Sequence, residues 1–295
     1  MVCSLKGLLQ ESWTTYRSLM RPVLTGAIVF GVIVGLGGLS LQKGVMQQLG
    51  AELAQLEGME DVSEQQMQDL LIRIQKGDEQ AVEQLREHMT VASTLMGVES
   101  IDMAKLPIMM NLVRFVSVFA ILMWCITAIS SVYYLVLATD KLRSPKAAIR
   151  RSLQVFVPLI GLGIWISIRS FIWVPFVGFM VAIVLMPRFL PAPVLLLQGE
   201  QGIVNIVSQS YVRTRGYWWK IMGNILAAML CSLIAFIAFN VTLRTLAGGS
   251  VVVLSLGSAV ISQLITAYIT FFVVALSNTV LTHPIVPGMT VTKKH

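Results

Sequence analysis

Few side chains in this sequence could do chemistry, and the most informative is Arg188. It follows Pro187 within the apolar run Pro175–Leu197. A guanidinium stays charged and offers five donors in a planar fork suited to phosphate or carboxylate. A charge inside a span is costly, so it implies a polar cavity, a lipid phosphate, a paired carboxylate, or snorkelling to the headgroups. Arg213 and Arg215 follow in a short amphipathic stretch and complete a candidate headgroup- or partner-binding set. Arg169 and Arg244 sit at span ends and read as anchors. Asn111, Asn224, Asn240 and Gln263 lie in or beside apolar runs, where interhelical hydrogen bonding is their usual role. Gly31, Gly35 and Gly38 form a GxxxG pair and its extension, a helix-packing stripe.

Catalytic patterns do not assemble around these residues. His88, His283 and His295 have no His, Asp or Glu at ligand spacing. Cys125 and Cys231 lie in apolar runs, where a thiol behaves as a small hydrophobe, and Cys3 stands alone. The sequence carries no P-loop, HExxH or GxSxG and no GxGxxG after a strand. Paired acids within spans are also missing, which argues against a proton relay. The expectation is a non-enzymatic protein without a metal site or cofactor.

The elements that must position Arg188 follow from composition. Of 295 residues, 56% are hydrophobic and 13% charged. Soluble domains carry about 25% charged residues, so the excess apolar surface must face a bilayer. Apolar runs of spanning length are 23–41, 115–138, 152–171, 175–197, 221–243 and 259–281. The third and fourth are too long to form one upright helix, so a tight hairpin at Trp173 and Pro175 is expected. The segment Ser250–Gly257 is expected at the outer surface or before a kink. The predicted fold is an all-α polytopic membrane protein with six transmembrane helices, amphipathic interfacial helices and a helical extracytoplasmic insert.

Three regions follow: an interfacial helix with the first span (1–41), an acidic insert (42–105), and five further spans with their interfacial helices (106–295). The insert holds twelve of the chain's fifteen acids against five bases. Val45, Leu49, Leu53 and Leu56 make one apolar stripe in it. Met67, Leu70, Leu71 and Ile74 make a second, and Val82, Leu85 and Met89 a third. Two or three short amphipathic helices are expected there, packed on each other or on a protein partner. Lys and Arg sidedness places both termini in the cytoplasm and the insert outside. Lys6, Arg17, Arg21, the cluster from Lys141 to Arg151, Arg213, Arg215, Lys220, Lys293 and Lys294 all fall on one side. The net charge of +7 is then a topology signature, and no nucleic-acid partner is expected.

A threefold pattern accompanies the odd-numbered spans. Leu8, Leu9, Ser12 and Trp13 precede the first; Ala148, Ile149, Ser152 and Leu153 the third; Ile206, Val207, Ser210 and Tyr211 the fifth. Each serine follows apolar residues at −4 and −3 and precedes a bulky one. The unit reads as an interfacial helix plus a transmembrane hairpin.

The stretch Arg188-Phe189-Leu190-Pro191-Ala192-Pro193-Val194-Leu195-Leu196-Leu197-Gln198-Gly199-Glu200, followed by Ser208-Gln209-Ser210-Tyr211-Val212-Arg213-Thr214-Arg215-Gly216, resembles a known family. This is the membrane domain found beside some glycerophosphodiester phosphodiesterases and as stand-alone uncharacterised bacterial membrane proteins. The resemblance covers roughly 141–281. It implies a six-helix domain of the bacterial inner membrane in contact with lipids, and little about activity. The acidic insert departs from that family's shorter connection. The phosphodiesterase's catalytic barrel would need well over 200 mainly soluble residues, which this chain lacks. Two roles remain open: a subunit or scaffold of a membrane assembly, or a lipid- or small-solute-handling transporter using Arg188.

Overall fold

The computed structural model describes residues 4–57, 73, 106–171, 185, 187–199, 202–248 and 250–282. Among the described residues the regular structure is entirely helical. In chain order the helices are α1 (Leu5–Ser18), α2 (Met20–Glu57), α3 (Leu106–Asp140), α4 (Pro145–Phe171), α5 (Ala192–Leu197), α6 (Ile203–Arg213), α7 (Trp218–Leu246) and α8 (Val251–Thr282). Among the described residues, five stretches are long and apolar enough to cross a membrane: Met20–Val45, Val113–Asp140, Pro145–Arg169, Trp218–Leu246 and Val251–Thr282. The fourth expected span is described mainly at its end, as the shorter apolar helical stretch Pro187–Leu197. Its beginning and the hairpin at Trp173 lie outside the described residues. So does most of the acidic insert.

Local chemistry sets the helix ends. The Ser4 hydroxyl accepts from the Gly7 N–H at 3.2 Å and caps α1. Arg17 lies in the last turn of α1, favourably placed for the helix dipole. The chain breaks at Leu19, and Pro22 in the first turn of α2 explains why. Pro22 has no N–H for the Ser18 carbonyl, so α1 cannot run on unbroken into α2. α6 and α7 are separated by the turn Thr214–Tyr217, where Gly216 takes φ +89°. That left-handed conformation costs glycine least.

The sequence and the structure differ in two places. The helix of the first span, α2, does not stop at Leu41 but continues to Glu57, a 38-residue helix. The stripe Val45, Leu49, Leu53 and Leu56 therefore belongs to the end of α2 rather than to a separate short helix. No proline interrupts that run, and its Gln, Leu, Ala and Glu residues favour helix. The amphipathic stretch before the third span is likewise part of the 27-residue α4. α4 starts at Pro145 as the Ser144-Pro145 pair predicts, but nothing stops it before Ser152. α8 begins at Val251 and runs through Gly257 to Thr282 as one helix.

The chain forms two compact units. The first draws on Met1–Phe30, Ala128–Phe239 and Ile261–His295. Its largest core joins Tyr16, Leu19 and Val23 to Tyr133, Tyr134 and Leu137 of α3 and to Ala267, Phe271 and Val274 of α8. The Tyr133 hydroxyl donates to the Pro22 carbonyl at 2.8 Å, both buried, which ties α3 to the start of α2. A second core sets Leu8 of α1 against Ile221 of α7 and Phe272, Leu276 and Val280 of α8. A third places Leu162 of α4 with Phe189, Ala192, Leu195, Ile206 and Val207.

The second unit draws on Gly31–Thr127 and Asn240–Val260. Glycines on α2 define its packing. A Cβ at Gly31 would lie 2.7 Å from the Val260 Cα, and one at Gly35 would lie 3.1 Å from the Leu256 Cα. Gly37 faces Met123, and Gly44 faces Phe115, on α3. The Ser255 hydroxyl donates to the Gly35 carbonyl at 3.3 Å. Small residues let the helix backbones approach closely, as the GxxxG spacing anticipates for Gly31 and Gly35. Gly38 meets nothing within 4 Å.

Candidate functional site

Arg188 lies near the start of the continuously described part of the fourth apolar run, where two prolines shape the backbone. Pro191 has no N–H to give the Pro187 carbonyl, so the helix loosens into a turn at Leu190-Pro191 before α5 begins. The Arg188 carbonyl is taken up by side chains from α6 and the turn after it. Ser210 donates to it at 2.6 Å and Thr214 at 3.4 Å. The Thr214 hydroxyl also lies 2.8 Å from the Ser210 carbonyl and 3.2 Å from the Tyr211 carbonyl. Hydroxyls commonly satisfy backbone carbonyls left open where a helix is interrupted within a membrane. The fully buried Ser210 and Thr214 thus fasten the end of this run onto α6.

The Arg188 side chain lies on the same helix. Its guanidinium carbon sits 4.5 Å from the centre of the Tyr211 ring, a cation–π contact. Phe189 packs beside that ring at 6.5 Å. The Arg188 Nε is buried and has no hydrogen-bond partner among the described residues. Two residues further on, Arg213 donates through Nη1 to the Leu281 carbonyl at 3.2 Å, tying α6 to α8. Arg215 is exposed in the turn before α7. Arg188 and Arg213 are thus both held by α6, with different partners, and Arg215 projects from the same connection.

The sequence pattern singled out Ser210 and Tyr211 without linking either to Arg188. The signal was the recurrence of the serine itself. Ser12, Ser152 and Ser210 are all buried, and each follows a buried apolar residue four positions earlier: Leu8, Ala148 and Ile206. Two of the three serines donate to carbonyls of their own helices. Ser12 reaches Leu9 at 3.1 Å and Ser152 reaches Ala148 at 2.7 Å.

Matching continues upstream. Lys141 (φ 52°) and Gly199 (φ 82°) both adopt the left-handed conformation, each eleven residues before its serine. The preceding helix ends share a burial rhythm. The buried pairs Tyr133-Tyr134 and Pro191-Ala192 are each followed, after one half-buried residue, by Val136-Leu137 and Val194-Leu195. On α8, Phe271-Phe272 and then Val274-Ala275 repeat it. Three residues before these pairs stand Ser130, Arg188 and Tyr268. Tyr268 contacts Trp13 at 6.3 Å and Tyr16 at 5.7 Å. Trp13 follows Ser12 just as Tyr211 follows Ser210. The contact that is arginine on tyrosine in one place is therefore aromatic on aromatic in another.

Other polar groups in the apolar runs are buried as well. Asn224 and Gln263 are both in the core. Asn224 is engaged, whereas the Gln263 Oε1 has no partner among the described residues. No group of three or more His, Cys, Asp or Glu that could hold a metal occurs among the described residues.

These features define a class: an all-helical, multi-pass membrane protein. No family model, curated protein or solved structure matches the chain.

Proposed function

We propose that this protein is a non-enzymatic subunit or scaffold of a membrane assembly. In this reading it has six spans, cytoplasmic termini and an extracytoplasmic acidic insert, and a protein partner docks through the 42–105 insert or through the interfacial helices. The observation that carries the reading is how the buried hydroxyls are used. Ser12, Ser152, Ser210 and Thr214 all donate to backbone carbonyls. Ser12 and Ser152 thus serve their own helices, while Ser210 and Thr214 fasten the Arg188 carbonyl to α6. The likeness to the phosphodiesterase-associated membrane domain supports the same architecture and a bacterial inner-membrane location.

The partner claim is tested by in-membrane cross-linking and native electrophoresis of the full chain. A version with residues 58–105 replaced by a short Gly/Ser linker is run beside it. A stoichiometric complex present with the full chain and lost with the linker supports docking through the insert. A full chain that runs only as a monomer, with nothing cross-linked, refutes the scaffold role. Orientation is tested by single-cysteine labelling in intact cells at Glu64 and Lys146. Labelling at 146 but not at 64 by an impermeant reagent would reverse it.

One observation favours the second reading, a lipid- or small-solute-handling transporter. Arg188 sits within an apolar run on an aromatic ring, and none of the described residues supplies it with a carboxylate.

A further inference from the structure

We infer that the Arg188–Tyr211 pair is a binding site for a phosphate group. Four observations on the first compact unit lead there. First, the charge has no counter-ion among the described residues. The unit's described carboxylates are Glu11 and Asp140, and Asp140 lies 3.5 Å from Arg151. The Arg188 Nε is buried and has no hydrogen-bond partner among the described residues. A buried donor without a partner is costly, and more so when it is charged.

Second, the fold does not require an arginine here. The matched positions carry Ser130, which is fully buried, and Tyr268, which packs on Trp13 and Tyr16. Neutral side chains of very different size serve the same helix junction, so the charge is an addition to the packing scheme.

Third, the group is positioned in advance. The Arg188 carbonyl is pinned by Ser210 and Thr214, and the Tyr211 ring lies against the guanidinium. A cation held on a ring keeps the edge of its fork for a second partner. Little side-chain freedom is left to lose when an anion arrives.

Fourth, the chain that carries and follows the Tyr211 ring is rich in cations. Arg213, Arg215 and Lys220 lie on α6, the following turn and the first turn of α7. A planar fork binds phosphate or carboxylate alike, but clustered cations with no nearby described acid favour the more highly charged group. The phosphate could be that of an anionic lipid or a free phosphate. The inference stands on the geometry of Arg188 and does not depend on the scaffold reading.

The test uses the full chain, purified in mild detergent and stripped of lipid. Binding is read by native mass spectrometry and by thermal protection. The probes are dioleoylphosphatidylglycerol, dioleoylglycerol without the phosphate, and inorganic phosphate. Wild type is expected to retain phosphatidylglycerol and not dioleoylglycerol. Arg188→Leu should weaken retention at least tenfold, and Arg188→Lys by less, because it keeps the charge without the fork. Arg169→Leu should leave it unchanged. Protection by phosphatidylglycerol alone assigns a lipid headgroup; protection by inorganic phosphate as well assigns a free anion site. If Arg188→Leu does not fold, Tyr211→Leu, which keeps the charge and removes the ring, should weaken retention about threefold or more. Equal retention of phosphatidylglycerol and dioleoylglycerol overturns the inference. So does absence of protection by any phosphate probe, or retention by Arg188→Leu equal to wild type. Loss of a stoichiometric protein partner would leave this result untouched, so the two proposals fail separately.

Discussion

Replacing Gly31 by alanine tests the closest helix contact of the second unit. A Cβ there would lie 2.7 Å from the Val260 Cα and 2.9 Å from its backbone nitrogen. Two of the three nearest atoms are backbone, so no side-chain rotation relieves the clash and one helix must recede. Overpacking of this kind costs roughly 1–3 kcal/mol. Alanine also gains up to about 1 kcal/mol over glycine in helix propensity. Gly38 supplies the internal reference, because a Cβ there meets nothing within 4 Å. Gly38→Ala takes the propensity gain alone. Subtracting the two cancels propensity and leaves the packing cost, so Gly31→Ala should be less stable than Gly38→Ala by about 1–3 kcal/mol. Gly35→Ala should fall between them, since its nearest contact is the flexible Leu256 Cδ2 at 2.9 Å. Unfolding by SDS titration in mixed micelles, followed by far-UV circular dichroism, gives all three values. Equal stability of Gly31→Ala and Gly38→Ala, or the reverse order, would refute the close approach of α2 and α8 at Val260.

Three further outcomes are expected. Tyr133→Phe removes the buried hydrogen bond to the Pro22 carbonyl and should cost about 0.5–1.5 kcal/mol in the same titration. Ser210→Ala should cost a similar amount, about 0.5–1.5 kcal/mol, by freeing the Arg188 carbonyl, while Ala at the exposed Ser208 should stay within about 0.5 kcal/mol of wild type. Burial raises the Tyr16 phenol above its usual value of 10.0, so the neutral ring is favoured in the folded state. Its contribution is intact below pH 10 and is lost as pH rises through the folded value. Wild type should therefore lose thermal stability relative to Tyr16→Phe only above about pH 10, as read by melting in a pH series.

Much of the helical frame was legible because spanning length and apolarity are properties of contiguous sequence. The five described spans fall where the runs of Val, Leu, Ile, Phe and Ala place them. Helix ends were harder to read. The extension of α2 to Glu57 was hidden because polarity changes at Gln42 while helix propensity does not, and a bilayer boundary is not a helix boundary. Pro145 marked the start of α4, yet the amphipathic stretch that follows carries no internal stop before Ser152. At the candidate site, Arg188 announced itself as a charge in an apolar run. Its seat did not, because Tyr211 lies 23 residues away, and only the fold shows which ring meets it. The serine recurrence was visible, but its meaning, burial beneath a matched helix end, was not.

The contacts of α1 carry a consequence for biosynthesis. The Tyr16 hydroxyl lies 3.5 Å from the Leu264 carbonyl, a sequence separation of 248 residues, and Tyr16 also packs on Tyr268 and Phe271. α1 therefore has aromatic partners on α8, which is synthesised about 248 residues later. At roughly 5–20 residues per second, the interval between them is about 12–50 s. Throughout that time the face bearing Leu8, Ser12 and Tyr16 must be sheltered by something other than α8. The lipid interface is suited to this, because an amphipathic helix can rest there on its apolar side. A chain truncated before Val251 would keep α1 in that waiting state permanently, with Tyr16 open to quenchers and proteases that the finished protein excludes.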